Sequence, residues 1–325
     1  MIKTYKLTLF LILLVLVALP RFNWRELPHP LNKFVGIKPF DIEQYEIYVK
    51  YFRGEKKLAD QLEGPFSYRP FVPFVASFLP FDPLTSINIT NLIFVSIGLI
   101  FLIKFLIKLE FNDREITIGS LIFIFSFPLF YYTTSGYIDA SLIGIMLISN
   151  YFLFTNRYFI FIMSFIIGIL IKETILILLP VLIVYYLFND EIKNRILKII
   201  IPIIIYILLY GLIRNFAPQK ETFVWVPSLE IIKDNLIRIK TYLTFLLTFG
   251  IPGLLSLVVA VHKVRKNIPS KIFYSLITGL IFSFLLWFYS LFAAYSDGRQ
   301  LWTSYIFTIP LSAYLFRLNR KIKIK

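Results

Sequence analysis

Apolar residues occur along this chain in long runs that polar connections separate. About ten of these runs have the length and composition of a membrane-crossing helix. They cover residues 5–20, 88–107, 116–130, 140–155, 158–171, 174–188, 197–213, 241–260, 272–292 and 301–316. In hydrocarbon each backbone polar group needs a partner within its own segment, which favours helices. The pattern therefore predicts an all-α polytopic membrane protein with about ten transmembrane helices.

Two larger segments lie outside the predicted spans, at about residues 21–87 and 214–240. The first contains "DIEQYEIYVKYFRG" (41–54), which predicts an amphipathic helix on the outer membrane surface. Its apolar positions are Ile42, Tyr45, Val49 and Phe52. The second ends in "SLEIIKDNLIRIK" (228–240), whose apolar residues fit a helix lying in the interface plane. No soluble domain is indicated, so residues 1–325 are interpreted as a single transmembrane domain.

One apolar stretch, residues 158–188, is interrupted by Lys172, Glu173 and Thr174. A continuous helix of that length would measure about 46 Å at a rise of about 1.5 Å per residue. The hydrocarbon core of a bilayer is only about 30 Å thick. We therefore expect two short helices that meet near Lys172 at the outer face.

The positive charges of the chain orient these predicted spans. The sequence contains 34 Lys and Arg against 19 Asp and Glu, for a formal net charge of +15. With the N-terminus in the cytoplasm, Lys and Arg collect in the short inner loops and in the tail at 317–325. The run at 5–20 is interpreted as an uncleaved first span, because no small-residue cleavage signal follows it. The sequence thus predicts a multi-pass plasma-membrane protein with both termini cytoplasmic, and its charge is no indication of nucleic-acid binding.

Ionisable residues recur in four of the predicted outer connections. They are Asp41, Glu43 and Arg69 in the first outer segment, Asp139 before the fourth span, Lys172 and Glu173 between the fifth and sixth, and Asp297 and Arg299 before the last. Such residues at span ends are costly unless they pair, face a cavity or reach the interface. Their occurrence at one membrane face predicts a shared polar cavity there.

Each of these residues also has a purely structural interpretation. Asp41 can cap its own helix, with Gln44 completing a capping box. Asp139 can cap its own span, and Lys172 can pair with a carboxylate to hold helices together. Arg299 can form a solvated ion pair with Asp297. The functional interpretation depends on the convergence of the residues rather than on any one of them.

A cavity with carboxylates and cations at the outer face suits a lipid phosphate that carries a sugar. Arg and Lys bind phosphate, Arg with a bidentate geometry and Lys as a point charge. Fixed cations stabilise the negative charge that develops on a leaving phosphate. A carboxylate can accept the proton of an attacking hydroxyl group.

Three segments resemble the GT-C fold glycosyltransferases, which are polytopic enzymes that use polyprenyl-phosphate sugars. They are "DIEQYEIYVKYFRG" (41–54), "YRPFVPFVASFLP" (68–80) and "GILIKETILILLP" (168–180). The resemblance implies transfer of a sugar from a polyprenyl-phosphate donor to a lipid, glycan or protein acceptor, with membrane lipids around the site. It implies that Asp41 is the general base. It matches Asp139 to a second acidic position, and it implies that Lys172, Arg69 and Arg299 contact the donor phosphate. With their charged neighbours in the outer connections, the candidate catalytic residues are Asp41, Glu43 and Asp139, and the candidate substrate-binding residues are Arg69, Lys172, Glu173, Asp297 and Arg299.

Composition leaves little room for a metal site. The chain has no Cys and only two His, His29 and His262, which lie far apart in sequence. Asp41 and Glu43 could share Mg²⁺ or Mn²⁺, but two carboxylates alone bind Mg²⁺ poorly without a substrate phosphate. No metal ligand is therefore assigned, and a divalent cation at these two residues stays open.

Two other functional classes stay open at this point. A transporter or lipid flippase usually has interrupted spans in two related halves and a site at the bilayer midplane. Only the interruption at Lys172 is clear in this sequence. A non-catalytic membrane assembly protein would not need acids and cations from four connections at one face.

Overall fold

Helices form nearly all the secondary structure in the computed structural model of the chain, which describes residues 4–22, 40–188, 192–218, 221–222, 226–261, 263–294, 296 and 298–322. The α-helices are α1 (Thr4–Phe22), α2 (Phe40–Phe52), α3 (Phe71–Ser77), α4 (Pro83–Lys108), α5 (Asp113–Ile124), α6 (Phe127–Tyr132), α7 (Asp139–Phe154), α8 (Tyr158–Ile171), α9 (Leu178–Leu187), α10 (Ile192–Phe216), α11 (Leu229–Ile237), α12 (Ile239–Val261), α13 (Ser270–Ala293) and α14 (Tyr305–Ile322). Short 3₁₀ helices cover Lys56–Gln61, Phe66–Tyr68, Glu173–Ile177, Lys263–Asn267 and Arg299–Ser304. Two short strands, β1 (Glu63–Gly64) and β2 (Glu221–Thr222), pair in parallel. The predicted all-α class is confirmed for the described residues.

Five helices of the described part are long and apolar enough to cross a membrane. They are Thr4–Phe22, Pro83–Lys108, Arg195–Phe216, Ile239–Val261 and Ser270–Ala293. Each coincides with one of the predicted spans. The helices α7, α8 and α9 are apolar but shorter. This set of apolar helices is compatible with a membrane protein.

The helix break at Lys172 is confirmed. Helix α8 ends at Ile171, and the backbone of Lys172 is extended, with φ of −166° and ψ of 136°. A 3₁₀ turn then begins at Glu173 and leads into α9. The break removes Lys172 and Glu173 from the middle of a continuous apolar helix, as the length argument requires.

The prediction of one continuous helix at 116–130 is wrong. Helix α5 ends at Ile124, and α6 starts afresh at Phe127. The Leu129 amide donates to the Ser126 hydroxyl at 3.4 Å, and Pro128 occupies the first turn of α6. A polar cap followed by proline is a strong helix start, and it outweighs the apolar character of the segment. The predicted span 301–316 likewise begins within a 3₁₀ helix before α14 continues it.

Helix α2 packs into the protein instead of lying with its apolar side on lipid. Ile42, Tyr45 and Val49 are buried, and the helix contacts α3 and α4. The helix begins at Phe40, so Asp41 lies in its first turn and the expected capping role is wrong. The Gln44 side chain does not complete a capping box. Its amide donates to the Gln61 carbonyl at 3.2 Å, and its oxygen accepts from the Glu63 amide at 2.8 Å.

A second interruption lies inside α12. Gly250 has non-helical dihedral angles, with φ of 48° and ψ of −156°, and Pro252 follows two residues later. A positive φ favours glycine, and proline lacks the amide that would continue the helical hydrogen bonding. In the described residues, apolar helical stretches are thus broken at Lys172 and at Gly250, in addition to the break between α5 and α6.

The segment 301–314 belongs to the core, and each of its residues is buried. It covers the end of the last 3₁₀ helix and most of α14, which packs against α12, α5, α13 and α7. Helices α4 and α7 also approach each other closely, because a Cβ atom on Gly144 would lie 2.2 Å from the Phe94 carbonyl oxygen. Small residues permit such close helix packing in apolar surroundings.

Candidate functional site

A cavity of about 700 Å³ opens among α2, α11, α12, α13 and the break between α8 and α9. Five of the residues singled out from the sequence line it, and they come from four distant segments. These residues are Asp41, Arg69, Lys172, Glu173 and Arg299. The expected convergence of these five residues on one cavity is therefore present.

The other three candidate residues have different positions. Asp139 is buried and lies behind the cavity wall, where it contacts lining residues. Glu43 is exposed and does not line the cavity. Asp297 lies outside the described residues.

Arg299 lines the cavity and contacts Asp41 and Tyr137 there. Its Nη1 donates to Asp41 Oδ2 at 2.8 Å, and its guanidinium carbon lies 3.9 Å from the centroid of the Tyr137 ring. A guanidinium over an aromatic face is attracted by the ring quadrupole. Gly298 places it there, since this residue has a φ of +74° and approaches the Thr244 backbone closely. A Cβ atom at position 298 would strain a backbone with positive φ, and it would lie 2.5 Å from the Thr244 carbonyl oxygen.

Lys172 and Asp139 form a buried ion pair. Lys172 Nζ donates to Asp139 Oδ1 at 2.6 Å, and Arg299 Nε lies 3.6 Å from the other oxygen of the same carboxylate. Asp139 occupies the first turn of α7, where a negative charge is favoured by the helix dipole. The carboxylate thus joins two cations, Lys172 and Arg299, that are far apart in the sequence.

Two buried asparagines of α4 fix the segment that carries Asp139. The Gly136 amide donates to Asn88 Oδ1 at 2.8 Å. The Asn91 side chain donates to the Tyr137 carbonyl and accepts from the Ser141 hydroxyl at 2.7 Å. Amides buried in an apolar helix are costly unless they are satisfied, and these bonds satisfy part of their capacity. They fix the start of α7 and, with it, the position of the carboxylate.

Arg69 forms the third pair, with Glu173. Its Nε donates to Glu173 Oε2 at 3.0 Å and its Nη2 donates to Oε1, so the contact is bidentate. Its remaining nitrogen donates to the Tyr45 hydroxyl at 2.9 Å. Burial opposes the charge on Arg69, but Glu173 and Tyr45 outweigh it and raise the pKa of the guanidinium. Burial also raises the pKa of the Tyr45 hydroxyl, which keeps it neutral.

These six residues form an electrically balanced group, which we name the inner cluster. Its cations are Arg69, Lys172 and Arg299, and its carboxylates are Asp41, Asp139 and Glu173. Three positive charges thus face three negative charges. Removal of one member would leave a charge without its compensating partner in a site with little access to water.

Three further charged lining residues were missed by the sequence argument. They are Glu63, Arg238 and Lys240. The sequence did contain a signal for Arg238 and Lys240. They lie at the predicted outer end of the span at 241–260, where the positive-inside rule predicts few Lys and Arg residues. Glu63 gave no such signal, because its position depends on pairing between β1 and β2 and on the side chain of Gln44.

Asp41 and Glu43 have different surroundings on α2. They are two residues apart on α2, and side chains with that spacing do not face each other. Asp41 points to Arg299 in the cavity, whereas Glu43 is exposed away from it. No group of three or more His, Asp or Glu side chains in the described ranges is arranged to hold a metal ion.

Comparison with known families gives no assignment, because neither a protein-family model nor a curated protein matches this chain. The functional argument therefore depends on the cavity and its residues.

Proposed function

We propose that this chain is a multi-pass membrane glycosyltransferase of the GT-C type. It would transfer a sugar from a polyprenyl-phosphate donor to a lipid, glycan or protein acceptor. The observation that carries the proposal is the cavity in which Asp41, Arg69, Lys172, Glu173 and Arg299 meet. Placing five ionisable side chains from four distant segments beside apolar helices costs free energy. Binding of a charged substrate is a reason for a protein to maintain such an arrangement.

The chemistry requires one base and a stabilised leaving phosphate. Asp41 accepts the proton of the acceptor hydroxyl group while the hydroxyl oxygen attacks the anomeric carbon. The bond between that carbon and the phosphate oxygen breaks, and its electron pair stays with the phosphate. The products are the glycosylated acceptor and the free lipid phosphate. Cations beside the phosphate stabilise its growing negative charge.

Arg299 connects the two halves of this reaction. Its Nη1 donates a hydrogen bond to Asp41. A donor phosphate can take the place of that carboxylate on the guanidinium, because Arg binds phosphate with the same planar geometry. Asp41 is then released to serve as base. Substrate binding and activation of the base become one event in this mechanism.

The proposed topology has about ten spans, both termini in the cytoplasm and the cavity at the outer face of the plasma membrane. Support comes from the agreement of two independent arguments. The positive-inside rule assigns the segments at 41, 69, 139, 172 and 299 to the outer side. The same segments meet around one cavity and its wall.

The test uses the purified chain with a radiolabelled polyprenyl-phosphate hexose and membrane lipids as acceptors. We expect label to move to an acceptor in the wild-type protein. Transfer should fall to background in Asp41→Asn, which keeps the size of the side chain and removes the base. If the label stays on the donor with every acceptor tested, the proposal is refuted.

A transporter or lipid flippase is the second candidate, and the two broken helices favour it. Interrupted helices at Lys172 and Gly250 are a feature of many transporters. Sealed vesicles containing the chain would then accumulate a lipid-linked sugar without changing it covalently. Accumulation without transfer would support this candidate over the enzyme.

A further inference from the structure

We propose that Arg238 and Lys240 form a binding site for the phosphate of a lipid-linked substrate at a membrane-facing mouth of the cavity. The choice of a lipid-linked ligand rests on the function proposed above. The site is distinct from the inner cluster, to which the resemblance assigns the phosphate. We name Arg238 and Lys240 the mouth pair.

The first argument is the balance of charge in the cavity. The inner cluster has three cations and three carboxylates, so its net charge does not draw an anion into the cavity, although Arg299 can exchange Asp41 for a phosphate that has already entered. Among the residues that the structure describes, the other charged lining residues are Glu63, Arg238 and Lys240, which add one positive charge in total. The two cations of this set are the mouth pair. Lys240 is exposed and makes no ion pair with a residue in the described ranges.

The second argument is the way in which the mouth pair is held. Asn235 of α11 is buried, and its side chain donates to the Leu291 carbonyl at 2.9 Å and to the Ala294 carbonyl at 2.6 Å. Its oxygen accepts from the Ser296 amide at 3.1 Å. These bonds join the end of α11 to the end of α13 at the cavity wall. The backbone then extends at Arg238 before α12 begins, which places both cations at this joint.

The third argument is the apolar surface around the mouth pair. Leu236, Ile237 and Ile239 are exposed, with Ile237 at 69% and Ile239 at 74% of full accessibility. They alternate with the two cations that line the cavity. Exposed apolar residues of this size next to a polar cavity indicate contact with lipid or with the chain of an amphiphile.

The apolar lining continues along α13. Leu286 and Tyr289 line the cavity, and Tyr289 is also half exposed on the outer surface of the protein. Leu285 and Phe288 beside them are exposed too. A hydrocarbon chain can therefore lie against α13 while its phosphate contacts the mouth pair. A free inorganic phosphate would gain nothing from this apolar surface.

The experiment measures binding rather than transfer, with the full chain in nanodiscs of phosphatidylcholine. The probe is radiolabelled geranylgeranyl phosphate. Geranylgeraniol, which lacks the phosphate, and inorganic phosphate are the comparison ligands. The variant Arg238→Gln/Lys240→Gln is compared with Lys233→Gln, which removes an exposed cation of α11 that does not line the cavity.

We expect the double variant to raise the Kd for geranylgeranyl phosphate about tenfold or more, and Lys233→Gln to leave it within twofold. Lys240→Arg should retain binding, because it keeps the charge. Higher salt should weaken binding to the wild type more than binding to the double variant. The thermal unfolding of both variants is measured to confirm that they fold. The single variant Lys240→Gln, which changes an exposed side chain only, takes the place of the double variant if that one unfolds.

Three results would overturn the proposal. They are equal binding of geranylgeranyl phosphate by the wild type and the folded variant, equal binding of the alcohol and the phosphate, and full competition by inorganic phosphate at the same concentration. The result is independent of catalysis. If binding depends on the mouth pair but the chain has no transfer activity, only the proposed glycosyltransferase function is refuted. If the chain transfers sugar but the mouth-pair variants bind the probe as the wild type does, only this inference is refuted.

Discussion

Arg299 donates a hydrogen bond to Asp41 at 2.8 Å, although 258 positions separate the two residues in the chain. The bond joins the first turn of α2 to the 3₁₀ helix that precedes α14. It also gives the proposed base a partner that a donor phosphate can displace. The consequences of this arrangement can be tested with pairs of variants.

The first prediction separates Asp41 from Glu43. Asp41→Asn should lower the rate of sugar transfer by about 10²- to 10⁴-fold, the range for loss of a general base. Glu43→Gln should change the rate less than about fivefold, because this exposed carboxylate does not line the cavity. Initial rates with radiolabelled donor measure both. Equal losses in the two variants would mean that the carboxylates act as a unit, for example on a metal ion.

The second prediction concerns the Lys172–Asp139 pair. Lys172→Met should destabilise the protein by about 3–5 kcal/mol, because Asp139 stays buried without its closest partner. The double variant Lys172→Met/Asp139→Asn removes both charges and should recover much of that loss. Thermal unfolding in detergent compares the two with the wild type. A double variant as unstable as the sum of its single variants would show that the pair is not coupled.

The third prediction concerns the hydrogen bonds of Arg69. Arg69→Lys keeps the charge but loses the bidentate contact with Glu173 and the bond to Tyr45. Tyr45→Phe loses only the latter. Each bond to a charged group contributes roughly 1.5–3 kcal/mol. Arg69→Lys loses three such bonds and can regain one to Glu173, so it should lower the unfolding temperature about twice as far as Tyr45→Phe. The opposite order would place the tyrosine hydroxyl, rather than Glu173, at the centre of the contact.

The fourth prediction tests the placement of Arg299 through the residue before it. Gly298→Ala adds a Cβ atom 2.5 Å from the Thr244 carbonyl oxygen at a positive φ. The 3₁₀ helix must shift, so transfer should fall at least about tenfold as Arg299 leaves Asp41. Gly211→Ala on α10, where a Cβ atom meets no other group, is the matched control and should retain activity. Full activity in Gly298→Ala would show that the position of Arg299 is not critical.

The sequence predicted some features of the fold well, because single physical constraints determine them. The break at Lys172 follows from the length of a helix and the cost of a buried charge, and it is present. The split between α5 and α6 was missed, since the local signal of Ser126 and Pro128 was subordinate to a long apolar run. Gly250 was missed for the same reason.

Five of the eight candidate residues line the cavity, but the sequence did not predict how they pair. The positive-inside rule places Asp41, Lys172 and Arg299 on one side, yet it says nothing about which carboxylate meets which cation. That choice depends on contacts between distant segments, such as those of Asn88 and Asn91 with the start of α7. Arg238 and Lys240 were overlooked because they were counted as the end of an interfacial helix.

The segment 301–314 is buried at each residue, so in a membrane it would contact protein rather than lipid. Arg299 lies two residues before this segment, and the packing of the segment determines where Arg299 lies. Differences in bilayer thickness or fluidity would act directly on exposed apolar helices such as α10, and they would reach Arg299 through packed side chains. The geometry of the Arg299–Asp41 contact should therefore be much the same in hosts whose membranes differ in composition.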